Sequence, residues 1–306
     1  VWTKEVFAGF MGSKIVNPAF PEINHDLRFL SNYASAYGVD RSQGANQIRQ
    51  PLENLNMAGT LYGSIIYAKA PVVMKHLELL VGEETFREGM RIYLKEFSYR
   101  NATWPHLIAI LDDLSEEDLT SWSKVWVEEP DRPTVNVDLK INEDGTIGRL
   151  SLTQKDPKRK NRIWTQLLNV RLGYSDGDRV IPVTLKNRTM NLAEAEGLPK
   201  PNYVLPNGNG IGYGYFKIDS ASRDYLVDHV PELDTPMQRG IAWLNLWDDM
   251  LYGSINPAEL LELAVRSLES ETDILNIQRI LGKIQAIYWN YLTVNKRESM
   301  AADLES

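Results

Sequence analysis

Residues Val1 to Ser13 read V-W-T-K-E-V-F-A-G-F-M-G-S, and the reading of this run decides how the rest of the chain is understood. Apolar residues at Phe7, Phe10, Met11 and Ile15 recur near the 3.6-residue period of a helix with one buried stripe. Glu5 lies beside that stripe. Residues three, four and seven places further on share its face, and these are Ala8, Gly9 and Gly12. Such small residues let a neighbouring helix or a metal ion approach a carboxylate closely. Taken alone, Glu5 is better explained as a surface carboxylate in a first helical turn, where the helix dipole favours it.

Three runs further along carry more weight. S-I-I-Y-A-K-A-P-V-V, from Ser64 to Val73, lies in a segment of helical periodicity, Met57 to Val81. Its core stripe is Tyr62, Ile65, Ile66, Val73, Met74 and Leu77 with the stem of Lys69, and Tyr67 lies off it, on the face of Gly63, Ala70 and Met74. Pro71 has no N–H to offer the carbonyl of Tyr67, so the helix is expected to loosen or bend there. E-E-T-F-R-E-G-M-R-I-Y-L follows from Glu83 to Leu94, and N-A-T-W from Asn101 to Trp104.

Together these runs resemble the gluzincin zinc aminopeptidases, the class that includes alanyl and puromycin-sensitive aminopeptidases. In that family a helix carries HExxH, whose two His bind Zn²⁺ while its Glu activates water. A later segment, W-L-x-E-G-F-A-x-(Y/F), delivers a Glu as third ligand. The resemblance puts Glu5 in that role, with Val6 where Gly is common. Ser64–Val73 resembles I-S-Y-x-K-G-A-x-V-L, whose Tyr lies beside the metal. Tyr67, 62 residues after Glu5, is thereby implied as the catalytic donor to the oxyanion of the tetrahedral intermediate. Ala70-Pro71 replaces the commoner Gly-Ala pair.

The rest of that machinery is not in this sequence. Its four His, at 25, 76, 106 and 229, stand singly, with no pair four residues apart, and there is no Cys. Zinc catalysis needs three protein ligands. No HExxH occurs, and no G-x-M-E-N, the motif that binds a free amine in the family. The family spacing puts the second His about fifteen residues before Val1. The chain is therefore expected to be a carboxy-terminal fragment of a zinc aminopeptidase, inactive by itself. Zinc and peptide substrate belong to the intact protein, and no metal is expected in the fragment.

With 306 residues, 24% charged and 43% hydrophobic, the composition is that of an ordinary globular protein. A net charge of −8 argues against nucleic acid as partner, and no stretch is long and apolar enough for a membrane span. The basic run Lys155 to Lys160 reads as a solvated hairpin loop. The fold class is multidomain α+β: a helical block over 1–130, a β-rich block over 131–218 and a second helical block over 219–306. By resemblance these are the helical half of a thermolysin-like catalytic domain, a β-sandwich and the start of a helical superhelix. Gly208 to Gly214 mimics a nucleotide-binding loop, but a strand rather than a helix follows it, so it reads as a turn between strands. The competing functional reading is a non-catalytic module, sandwich plus helical array, that binds a peptide or partner protein.

Overall fold

The computed structural model describes residues 2–305, without the side chains of 55 and 302–305; Val1 and Ser306, which open the first quoted run and close the last block, lie outside the described residues. Helices come first: α1 (Trp2–Val16), α2 (His25–Arg41), α3 (Ala70–Val81), α4 (Glu83–Glu96), α5 (Trp104–Asp113) and α6 (Leu119–Ser123). Seven strands follow: β1 (Thr134–Ile141), β2 (Ile147–Lys155), β3 (Gln166–Tyr174), β4 (Gly177–Leu185), β5 (Thr189–Asn191), β6 (Tyr203–Leu205) and β7 (Tyr215–Lys217). Then α7 (Ser220–His229), α8 (Pro236–Leu251), α9 (Pro257–Ser270), α10 (Ile274–Asn290) and α11 (Val294–Glu305) complete a mixed helix-and-sheet fold.

Local chemistry sets many of the boundaries. The Asn24 side chain accepts from the Leu27 N–H to start α2, satisfying a donor that the first helical turn leaves unpaired. Gly82, at φ +85°, ends α3 with its N–H on the carbonyl of Glu78, in a conformation that costs glycine nothing. α4 begins directly after it with Glu83 and Glu84 in the first turn. The expected helix from Met57 to Val81 is broken: a 3₁₀ stretch over Leu55–Leu61 gives way to a π-helical turn over Ile65–Lys69, which runs into α3.

α1 buries Trp2, Val6 and Phe10. Trp2 packs on Trp104 at 5.0 Å between ring centroids, and Phe10 meets Phe86 edge-on at 5.8 Å. Ile15, expected in the stripe, is 76% exposed, because the buried face runs one residue away from the one the apolar count suggested. Each fully buried large apolar side chain is worth about 1.5–3 kcal/mol, so this face fixes where α1 lies.

The strands form two sheets, ordered β5-β2-β1-β7 and β4-β3-β6. β1 and β2 pair antiparallel from Thr134↔Lys155 onward, across a turn with Gly145 at φ +82°. β3 and β4 pair antiparallel out to Tyr174↔Gly177, which leaves a two-residue Ser175-Asp176 loop. Val135, Ile147, Leu150 and Leu152 of one sheet share an apolar core with Leu168, Val170, Leu172, Ile181 and Leu185 of the other. The basic run is not a hairpin loop: β2 and β3 belong to different sheets, so it crosses between them. It is held by Asp156, whose carboxylate accepts from the backbone N–H groups of Lys158, Lys160 and Arg162 and pairs with Arg162 at 2.8 Å.

A second, larger core is built by helices from both ends of the chain. Leu27 and Leu30 of α2 lie in one cluster with Ile241 and Leu246 of α8 and Ile280 of α10. At the crossing of α2 and α8, a Cβ on Gly240 would come within 2.6 Å of Leu27 Cδ1, so the two helices approach at a residue with no side chain.

Candidate functional site

Glu5 on α1 and Tyr67 on the π turn meet at the surface. The Tyr67 hydroxyl donates to Glu5 Oε2 at 3.4 Å across 62 residues of sequence. Lys4 Nζ lies 3.9 Å from the other carboxylate oxygen, with Lys4 86% and Glu5 24% exposed. Tyr67 is 52% exposed, and the Tyr62 ring lies 5.9 Å away at an interplanar angle of 40°. Tyr62 is thus part of this surface, 42% exposed, and not of the core stripe expected for it. The helix unwinds next to it, so the periodicity that assigned its face does not apply. A Cβ on Gly9 or Gly12 would meet nothing within 4 Å. Displaced water, and then the Glu5 negative charge, raise the Tyr67 pKa above that of an ordinary phenol, although a half-exposed ring keeps the first effect modest. At neutral pH the group is a protonated donor.

The π turn determines which way Tyr67 faces. Pro71 cannot pair with the Tyr67 carbonyl, and the ladder relaxes upstream: the Ala70 N–H bonds Ile65 O, five residues back. Ile65, Ile66, Ala68 and Lys69 of this turn are buried, and Tyr67 alone faces out. Lys69 enters the interior, where its ammonium meets Asp40 Oδ2 at 2.8 Å and the carbonyl of Asp131 at 2.7 Å. The Tyr213 hydroxyl donates to the same Asp40 oxygen at 2.9 Å. Nothing in the local sequence marks Asp40 as Lys69's partner, because α2 and the π turn are brought together only by tertiary packing. Lys69 carried a faint signal, as a charged residue on an apolar stripe.

The four His have structural surroundings. His76 is buried, stacked on Trp126, and donates through Nε2 to Ile211 O at 3.0 Å. His106 closes the capping box of α5 and stacks on Phe97. His25 bonds Phe20 O, and His229 bonds Tyr225 O. The glycine run is buried between β6 and β7. A Cβ on Gly208 would lie 2.7 Å from Arg171 Cβ and 2.8 Å from Asn169 O, so packing against β3 calls for that glycine.

Residues 1–126 match the Peptidase family M1 domain. The chain is 23% identical over 278 residues to aminopeptidase N of Streptomyces lividans, covering 87% of this chain and 32% of that one. It is 29% identical over 251 residues to puromycin-sensitive aminopeptidase of Caenorhabditis elegans, covering 79% and 25%. The M1 domain match and these aminopeptidase relatives support the gluzincin aminopeptidase family. Leucyl aminopeptidase of Saccharolobus solfataricus is 31% identical over 138 residues, 45% of this chain and 18% of its own. The chain thus spans between about a fifth and a third of the length of these relatives. No helix among the described residues is long and apolar enough to cross a membrane.

The M1 family is zinc-dependent in general. Against that, the described residues hold no group of three or more His, Cys, Asp or Glu that could bind a metal ion. Glu5 has the chemistry of one ligand, an accessible carboxylate, and its neighbours in the pair are a phenol and an ammonium. The described residues by themselves do not bring together the three ligands of a zinc site.

Proposed function

We propose that this chain is part of a zinc-dependent aminopeptidase that removes N-terminal residues from peptides, and that it is inactive by itself. One observation carries the reading: Glu5 and Tyr67, from separate runs of sequence, come together at 3.4 Å on an open face. In this reading Glu5 is a zinc ligand, with the remaining ligands and the base supplied from outside this sequence. Tyr67, held protonated, donates to the oxyanion that develops at the attacked carbonyl. Support comes from the aminopeptidase names of the relatives and from the small share of their length that the chain covers. Within such a protein, 1–130 are the helical part of a thermolysin-like domain, 131–218 a β-sandwich and 219–306 the beginning of a helical superhelix.

The experiment uses the full-length protein with Glu5→Gln and Tyr67→Phe. Glu5→Gln is expected to lose zinc, read by elemental analysis, together with activity. Tyr67→Phe is expected to keep zinc and lose about 10²–10³ in kcat with little change in KM. Full zinc and full activity in the first variant, or an unchanged kcat in the second, removes that residue from the site.

A further inference from the structure

The Lys69–Asp40 pair takes no part in the chemistry proposed for Glu5 and Tyr67, yet Lys69 is two residues from Tyr67 on the same π turn. Its side chain is 1% exposed and that of Asp40 0%. Stability does not account for such a pair. Taking two charges out of water costs several kcal/mol per ion, and apolar residues of similar volume often do as well or better. What the ammonium supplies is direction. It meets Asp40 Oδ2 on α2 and the carbonyl of Asp131, just before β1, so one atom ties the turn to two separate elements. The Tyr213 hydroxyl holds the carboxylate from the other side, and the Tyr213 N–H is in turn fixed on Gln166 Oε1 at 2.9 Å. The outer contact tolerates little movement: at 3.4 Å it is near the limit of a hydrogen bond, and a shift of about 0.5 Å would break it. A π turn also has a less favourable backbone than an α-helix, and Pro71 has already loosened it from below.

We propose that Lys69, Asp40 and Tyr213 are positioning residues that hold the π turn so that the Tyr67 hydroxyl stays within reach of Glu5. The catalytic consequence rests on the function proposed above; the geometric claim stands on this chain alone.

The test reads the contact without reading activity. The 306-residue chain is labelled with tyrosine carrying ¹³C at Cζ, and spectra are taken at pH 7. The Tyr67 resonance is assigned by its absence from Tyr67→Phe. Glu5→Gln is expected to move it. In Lys69→Met the Tyr67 resonance should move to the position of a solvated tyrosine, and Glu5→Gln should no longer shift it. The other tyrosine resonances report whether the variant is folded. Should Lys69→Met fail to fold, Tyr213→Phe removes only one hydroxyl from Asp40 and carries the same test, with the Glu5→Gln shift expected to fall by at least about half. A folded Lys69→Met, or a Tyr213→Phe, in which Glu5→Gln still moves Tyr67 as far as in the parent overturns the proposal. So does a parent in which Glu5→Gln leaves Tyr67 unmoved. A preserved coupling network with an unchanged kcat in Tyr67→Phe would instead overturn the function proposed above and leave this inference standing.

Discussion

Two clusters of the same composition lie on opposite sides of one π turn. On the outside, a carboxylate (Glu5) meets a tyrosine hydroxyl (Tyr67) at 3.4 Å and a lysine (Lys4) at 3.9 Å. On the inside, a carboxylate (Asp40) meets a tyrosine hydroxyl (Tyr213) at 2.9 Å and a lysine (Lys69) at 2.8 Å. The difference is water. Exposed ion pairs are worth about 0–1 kcal/mol, because solvent competes for both partners. The outer groups can therefore exchange their partners for a ligand at little cost to the fold. The inner groups cannot, since removing one strands a charge in a medium that does not solvate it. Identical side-chain chemistry is free to act in one place and bound to the architecture in the other.

The sharpest way to break this comparison is Asp40→Ala. It leaves the Lys69 ammonium buried beside a cavity with one acceptor, the Asp131 carbonyl. A loss of about 3–5 kcal/mol in unfolding free energy is expected, read from chemical denaturation followed by circular dichroism. A loss below about 1 kcal/mol would mean that water reaches Lys69, and the inside and outside would then not differ in kind.

Acid provides the next test, through His76. Burial lowers its pKa to about 4, against the small opposing effect of its bond to Ile211 O, and Nδ1 has no partner among the described residues. An unfolded His titrates near 6.5. Between those values the unfolded chain binds the proton and the folded chain does not, so stability rises with pH through the window and is lost on acidification. The contribution is on the order of 3 kcal/mol between pH 7 and pH 4. His76→Gln should flatten this part of the profile, measured as denaturation midpoints of parent and variant at pH 7 and pH 4.5. Equal slopes for the two proteins would show that His76 becomes protonated without opening the core.

How much of this could be read from the sequence depended on how local the cause was. α4 and α5 fall within the expected helical block over 1–130, because Glu83 and Glu84 in the first turn of α4, the capping box of α5 and an amphipathic face on each act within a few residues. The β1–β2 hairpin follows from alternation and the Asp144-Gly145 turn. Glu5 and Tyr67 were named through family resemblance, and the structure brings them together. Pro71 announced a loosened helix, but periodicity could not say that the ladder would slip to a π turn upstream and expose Tyr62. Sheet membership was equally hidden: β2 and β3 look like hairpin partners along the chain, and the choice between one sheet and two is made by distant pairing with β5 and β6. Asp40 sits near the end of an otherwise ordinary helix, and no local feature announces a buried charge whose partner comes 29 residues later.

The smallest expected effect is the change in stability of Tyr67→Phe. The substitution removes one oxygen and keeps the ring, whose contact with Tyr62 at 5.9 Å persists. The lost hydrogen bond is long, and Glu5 is exposed enough to take a water in its place. No buried group is left without a partner, so the full desolvation penalty of an orphaned acceptor does not arise. The unfolding free energy should change by less than about 0.5 kcal/mol, as for most surface substitutions. Tyr213→Phe, the same chemical change on the inner side, takes a donor from a carboxylate that water does not reach, and belongs in the range of about 1–3 kcal/mol. Denaturation of the two variants side by side isolates solvent exposure as the one variable. If Tyr67→Phe costs more than about 1 kcal/mol, the outer cluster is holding the π turn in place and Tyr67 is an architectural residue, whatever else it does.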